Sequence, residues 1–412
     1  MSFIQTNDPE LFWYITDEEN RQEYEIELIA SENYVSKAVL EANGSVLTNK
    51  YSEWYPGKRY YAGQEFIDKI ENLAISRAKE LFGAEYVNVQ PLSWSPANLA
   101  VMLALLNHGD TILGLNLDQG GHLSHGHPLN FSGKMYTIIP YGLDKTTERI
   151  DMDEVERLAK EHKPKLIIAG FSAYSRSLDW KRFRTIADEV GAYLMADIAH
   201  IAGLIAGGAL ENPVPYCDVV TTTTHKTLRW PRGAIIMAKE ALWPLIARAV
   251  FPGVQWGPHE NLIAAKAVAF AEALRPEFAG YVSQVIRNAQ LLSDELQWYG
   301  FRVISGWTDN HLLLIDVFGS KWVTGKEAEE VLEKVGISCN KNMIPYDTRK
   351  PLDPSGIRIG TPAVTTRGMK ETEIKIIARI IRDAVDNRQD VAKIGELRQE
   401  IKQLCIQFPI YR

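Results

Sequence analysis

The sequence predicts an α/β fold: a three-layer, mostly parallel sheet with helices on both faces, followed by a smaller C-terminal α+β domain. Two observations carry this. Between about residues 69 and 250, short β-branched or apolar runs alternate with segments of helical spacing, and strands separated by helices pair in parallel by crossing over the sheet. The strand runs are apolar throughout, as suits a sheet covered on both sides. A chain of 412 residues, 46% hydrophobic and 24% charged, is also too long for one compact core, so two domains are expected.

Taken in order, DKIENLAISRAKELF repeats apolar residues at helical spacing, and EYVNVQ reads as a short strand. SPANLAVMLALLNHG reads as a helix with Ser95 as N-cap and Pro96 at the first helical position. TILGLN, KMYTIIPYG, KLIIAGFSAY, AYLMADIA and DVVTTTT follow as strands, with helices at MDEVERLAKEHK and WKRFRTIADEVG between them. A helical stretch then leads to HLLLIDVF, a helix at KEAEEVLEKVG, ISCNKN, GIRIGT and a long terminal helix, the smaller α+β unit. The expected division is an N-terminal arm over 1–65, a large domain over 66–280 and a small domain over 281–412, joined through helix because no Pro/Gly linker intervenes.

A net charge of −7 with dispersed basic residues argues against a nucleic-acid groove or an anionic membrane surface as partner. Three cysteines, Cys217, Cys339 and Cys405, lack the spacing of a metal site or a disulfide framework, and no apolar stretch approaches the roughly 18 residues of a membrane span. A cytoplasmic location is the expectation, since the N-terminus lacks the basic start and apolar run of a signal peptide.

Ligands of open parallel sheets sit beyond the carboxyl ends of the strands. There the chain places Ser93, Trp94 and Ser95, then Gln119 to His122, Ser172, Asp197 with His200, and His225 with Lys226. Burial would lower the pKa of Lys226 and favour the neutral amine that condenses with an aldehyde, unless the side chain snorkels out to solvent. Asp197 would be costly at a strand end without a cationic partner, such as a protonated pyridine nitrogen, or a role as helix cap. Ser95 opens a helix whose free amides suit a phosphate, or is a plain cap. A phosphate cradle, a carboxylate and a lysine at successive strand ends fit pyridoxal phosphate. Arg358 in SGIRIGT could grip a substrate carboxylate, or stand in a structural salt bridge.

LIASENYVS, TNKYSEWYPGKRYYAGQEFID, GGHLSHG, NFSGKMY, FSAYSRSLDW, ADIAHIAGL, DVVTTTTHKTL, TDNHL, CNKN and SGIRIGTPAVTTRG resemble the serine hydroxymethyltransferase family nearly end to end. The resemblance implies the aspartate-aminotransferase-like architecture of fold-type I pyridoxal-phosphate enzymes. It implies that Lys226 forms the Schiff base, Asp197 meets the pyridine nitrogen, His122 stacks on the ring, and Ser172 and His200 lie near the ring hydroxyl. Ser95 would bind the phosphate, Trp94, Trp256 and Gly257 would stand among the cofactor-binding positions, and Tyr51 would reach the phosphate from the other subunit of a homodimer whose contacts include the N-terminal arm. Arg358 would clamp the carboxylate of an amino-acid substrate, Glu53 would handle protons, Ser31 and Tyr61 would line the substrate pocket beside Trp54, and Asn342 matches a residue associated with folate.

Against the family pattern, Trp54, Trp94, Trp230, Trp256 and Trp307 each stand where a glycine is usual. A glycine needing positive φ would not accept tryptophan cheaply, so these loops are expected either to use ordinary backbone angles or to be rebuilt. Trp54 and Trp94 are expected close to the cofactor, giving a remodelled pocket in which indoles take space a pteridine would need and tetrahydrofolate use is questioned. Three readings remain open: a specialised aldolase, transaldolase or lyase acting at Cα or Cβ of a β-substituted amino acid; a tetrahydrofolate-dependent serine–glycine hydroxymethyltransferase; and a catalytically silent homologue kept for binding.

Overall fold

The computed structural model of the chain describes residues 2–411. Its central sheet has seven strands, β1 (Tyr86–Asn88), β2 (Thr111–Leu115), β3 (Thr137–Tyr141), β4 (Leu166–Gly170), β5 (Tyr193–Asp197), β6 (Val219–Thr223) and β7 (Ala234–Ala238). They lie in the order β1-β7-β6-β5-β4-β2-β3. The pairs from β6 to β3 are parallel, and β7 runs against both its neighbours. Alternate strand residues feed two cores, as a sheet covered on both faces requires. Leu113, Ile167, Leu194 and Val220 face one set of helices, which includes Phe183 and Phe270. Ile112, Ile168, Met195 and Val219 face the other, with Val101, Met102 and Ile246.

The second unit is a four-stranded antiparallel sheet of Arg302–Val303, Leu312–Asp316, Asn340–Asn342 and Gly356–Gly360. It is packed by Gly325–Val335, Glu371–Asp386 and Val391–Gln407 around a core rich in isoleucine. The 23-residue helix Pro276–Trp298 spans the position expected for the domain division. Near the N-terminus, Ile26–Glu27 pairs in parallel with Ile337–Ser338, and Arg367 donates to the carbonyls of Gln22, Glu23 and Glu25. That stretch of the arm is therefore fastened to the second unit.

Two details depart from the sequence reading. The strand β7 was not expected. The helix after β1 begins two residues earlier than expected, spanning Trp94–Leu105 with Ser93 as N-cap, so Pro96 takes its third position. Pro96 fits there because the first turn's amides have no intrahelical acceptor to lose. Ser95 is thus inside the helix, and its Oγ accepts from Asn130 Nδ2 at 3.3 Å.

Candidate active site

Sheet register brings the strand-end residues together. Gly170 at the end of β4 lies level with Asp197 at the end of β5, and Asp197 with Thr221 of β6. A Cβ on Gly170 would sit 2.6 Å from the Asp197 Cβ, so only glycine leaves the aspartate its place. Lys226 lies three residues beyond β6. It is 3% exposed, so it does not snorkel to solvent, and its Nζ has no hydrogen-bond partner among the described residues. Burial pushes its amine well below the usual lysine range, with Asp197 opposing.

Asp197 is buried and fully engaged. Its Oδ2 accepts from Asn98 Nδ2 at 2.8 Å and lies 2.8 Å from His125 Nε2, and its Oδ1 accepts from the Ala199 amide at 3.2 Å. Burial works to raise this carboxyl, but the bond and charge of His125, with His122 and Asn98, bring it down to about 2. His122 caps its own short turn by accepting the Ser124 amide at Nδ1, and burial with His125 beside it pushes its imidazole down to about 3. His200 stacks on His311 at 5.6 Å between centroids, and His200 Nε2, His311 Nδ1 and His225 Nδ1 are also buried without partners.

Arg358 reaches the same place from the smaller sheet. Its Nη1 donates to the Ser172 carbonyl at 2.7 Å and its Nε to Asn340 Oδ1 at 3.0 Å. No carboxylate among the described residues pairs with it, so the salt-bridge alternative falls away. Burial lowers it to about 10, leaving a cation at neutral pH.

The indole of Trp94 fills the space these groups surround. It stacks on His122 with centroids 3.4 Å apart and planes 14° from parallel, and its Nε1 donates to Asp197 Oδ2 at 2.5 Å. Lys226 Nζ is 3.4 Å from the indole centroid and must lie over the other face, since His122 covers the first.

The remaining expected site residues form a second group. Tyr51 OH donates to Glu53 Oε1 at 2.8 Å, Trp256 Nε1 donates to the same oxygen, and the Tyr51 and Tyr61 rings meet edge to face at 5.4 Å. Gly257 is held against them, for a Cβ there would be 2.4 Å from the Ser52 carbonyl and 3.0 Å from the Tyr51 ring. None of the hydrogen bonds or ring contacts of this group reaches Lys226, Asp197 or Arg358. Trp54 belongs here too, packing edge-on against Tyr55 and Phe251. It also keeps a left-handed backbone, φ 69°, where ordinary angles or a rebuilt loop were expected. Its carbonyl accepts from Arg59 and Gln90, which fixes the turn while the ring packs. Ser31 lines a groove with Asn33, His225 and Arg232, and the Asn342 side chain donates to the Met343 carbonyl.

Sequence reasoning missed His125, Asn98, Ser124 and His311. His125 and His311 were present in GGHLSHG and TDNHL, and their repeat of histidine beside matched residues was the available signal.

A doubly covered parallel sheet with lysine and carboxylate at its strand ends has the architecture of the fold-type I pyridoxal-phosphate enzymes. Within that class the chain belongs to the serine hydroxymethyltransferase family, whose family model matches residues 4–381. The chemistry of that family is pyridoxal-phosphate-dependent and acts on Cα–Cβ bonds of amino acids. No helix among the described residues is long and apolar enough to cross a membrane.

Tested against that cofactor, the polar set fits: an unpartnered buried amine, a buried carboxylate, a flat imidazole and an unpaired guanidinium. The ring slot does not fit as it stands, because the Trp94 indole occupies it. Indole and cofactor ring exclude one another there.

Proposed function

We propose that the protein is a pyridoxal-phosphate-dependent enzyme of aldolase, transaldolase or lyase type, which makes or breaks a bond at Cα or Cβ of a β-substituted amino acid without depending on tetrahydrofolate. The observation that carries this reading is Lys226, a buried amine with no hydrogen-bond partner close to the buried carboxylate of Asp197. Such an arrangement costs stability, and a pocket that uses the neutral amine accounts for it.

Arg358, an unpaired cation, would bind the substrate carboxylate. Lys226, held neutral, would move a proton at Cα. Asp197 would hold a protonated ring nitrogen, Ser172 and His200 the ring hydroxyl, and Ser95 with the amides of its helix the phosphate. When bound, the cofactor supplies the electron sink for the bond that breaks. The Tyr51, Glu53, Tyr61 and Gly257 group would complete the pocket of a second copy in a homodimer. In support, Tyr51, Tyr61 and Trp256 are about half exposed and form an aromatic patch. Within it, Trp256 already occupies Glu53, which supports a pocket reshaped away from folate.

Purified protein saturated with pyridoxal phosphate is tested on serine with and without tetrahydrofolate, then on threonine and β-thio amino acids. Turnover that ignores tetrahydrofolate is expected. Serine turnover that requires it would instead assign ordinary hydroxymethyl transfer.

The seat of Trp94 favours a second reading, a silent homologue kept for binding. No turnover of any amino acid, with no cofactor trapped on Lys226 by borohydride, would establish it over the first.

A further inference from the structure

We propose that Trp94 is a built-in stand-in for the cofactor ring: its indole holds the pocket assembled without cofactor and must leave before pyridoxal phosphate can enter. The inference rests on the reading of this pocket as the cofactor pocket, and not on any particular reaction.

Each face and edge of the indole meets a group expected to meet the cofactor ring. His122 lies parallel on one face at 3.4 Å. The indole N–H, at one edge, donates to Asp197 Oδ2 at 2.5 Å, as a protonated pyridine nitrogen would. His200 approaches edge-on at 5.7 Å. Lys226 Nζ sits 3.4 Å from the centroid on the remaining face, and the π-cloud stands in for the acceptor it lacks.

The side chain is aimed there by its place in the fold. Trp94 is the first residue of its helix, and Asn98, one turn on, points to the same carboxylate. The loop before it is fixed independently, since Gln255 accepts from the Leu92 amide and donates to the Gln90 carbonyl. Trp94 therefore has a defined anchor and a defined socket. A hydrogen bond to an ionised partner, a ring stack and an N–H over the face act on one side chain, so the seated state dominates.

Apparent affinity falls in proportion to the fraction of molecules whose slot is open. The protein should therefore be isolated free of cofactor, with Trp94→Gly binding pyridoxal phosphate at least about 100-fold more tightly in a titration followed by the visible absorbance of the lysine-bound cofactor. Trp94→Phe, which keeps a ring against His122 but has no N–H for Asp197, should be intermediate, and it carries the comparison if the glycine variant does not fold. Equal, tight binding by all three proteins would overturn the inference and leave the proposed function standing. Absence of binding by all three would overturn both.

A second readout needs no cofactor. In the unmutated protein one indole N–H resonance should be protected from solvent exchange, vanish in Trp94→Phe and shift in Asp197→Asn. A Trp94 N–H that exchanges freely would show the socket empty and overturn the inference.

Discussion

Arg358, on the smaller sheet, donates from Nη1 to the carbonyl of Ser172, two residues beyond β4 of the large sheet, at 2.7 Å. The two sheets therefore meet in a hydrogen bond from a guanidinium that pairs with no carboxylate among the described residues. A guanidinium can hold this carbonyl and the Asn340 amide oxygen through Nη1 and Nε while still offering N–H groups to a carboxylate. Lysine has one nitrogen and cannot do both. Arg358→Lys is expected to weaken amino-acid binding by at least about tenfold, while an amine lacking the carboxylate binds as before. Loss of both alike, measured by calorimetric titration, would mean that Arg358 only ties the sheets together.

A second prediction concerns pH. Glu260, in the first turn of Glu260–Ala273, accepts from Ser52 Oγ at Oε1, while Oε2 is buried with no partner. Burial raises its carboxyl to about 7 against the Ser52 bond, with Glu71 adding to the rise. Because the folded pKa is the higher one, the folded state holds the proton more tightly. The contribution to stability is fully present below about 4.5 and is lost as pH rises through about 7. The displacement corresponds to on the order of 3 kcal/mol. Glu260→Gln should gain on the unmutated protein between pH 5 and 8 in urea denaturation, with little difference at pH 4.5. A gap that does not change with pH would refute the assignment.

Lys226 gives a third. A buried amine without a hydrogen bond costs about 1–3 kcal/mol. Lys226→Met keeps the length of the side chain, so it is expected to raise stability by that order while abolishing borohydride trapping of pyridoxal phosphate. A clear loss of stability would mean that the amine's contact with the Trp94 face outweighs its desolvation.

The parts of the fold legible in the sequence were those set by local pattern. Runs such as KLIIAGFSAY and AYLMADIA became strands because their apolar content fits a sheet buried on both faces, and Lys226, Asp197 and Arg358 stood out as charges beside such runs. The strand β7 escaped because AIIMA is a short apolar run with no alternation to mark it as a strand, and it pairs against its neighbours after the ten-residue connection that carries Lys226. His125 and Asn98 escaped because their role is a distance to Asp197 across 72 and 99 residues of chain. The seat of Trp94 was hidden for a similar reason. A residue type at a helix start reveals its size and its N–H, while the socket is made by His122, Asp197 and Lys226 from three other strand ends.

The backbone of two tryptophans supplies the last prediction. Trp54 and Trp322 both hold left-handed angles, φ 69° and φ 55°, a conformation that costs a non-glycine residue roughly 1–2 kcal/mol. Trp322 ends the short helix Val317–Lys321, the position where glycine is favoured, and it is 78% exposed with a single edge contact to Phe318. Nothing substantial is buried there to offset the strain, so Trp322→Gly should stabilise the protein by about 1 kcal/mol after the extra chain entropy of glycine is counted. Trp54 is half-buried and meets Tyr55 and Phe251 at 5.6 Å each. Losing a packed indole costs about 3–5 kcal/mol when fully buried and less here, still more than the strain relieved. Trp54→Gly should therefore destabilise by about 1–2 kcal/mol, with opposite signs for the two variants in the same thermal or urea experiment. Shifts of the same sign would show that the left-handed strain, or the packing at Tyr55 and Phe251, is not what separates these two positions.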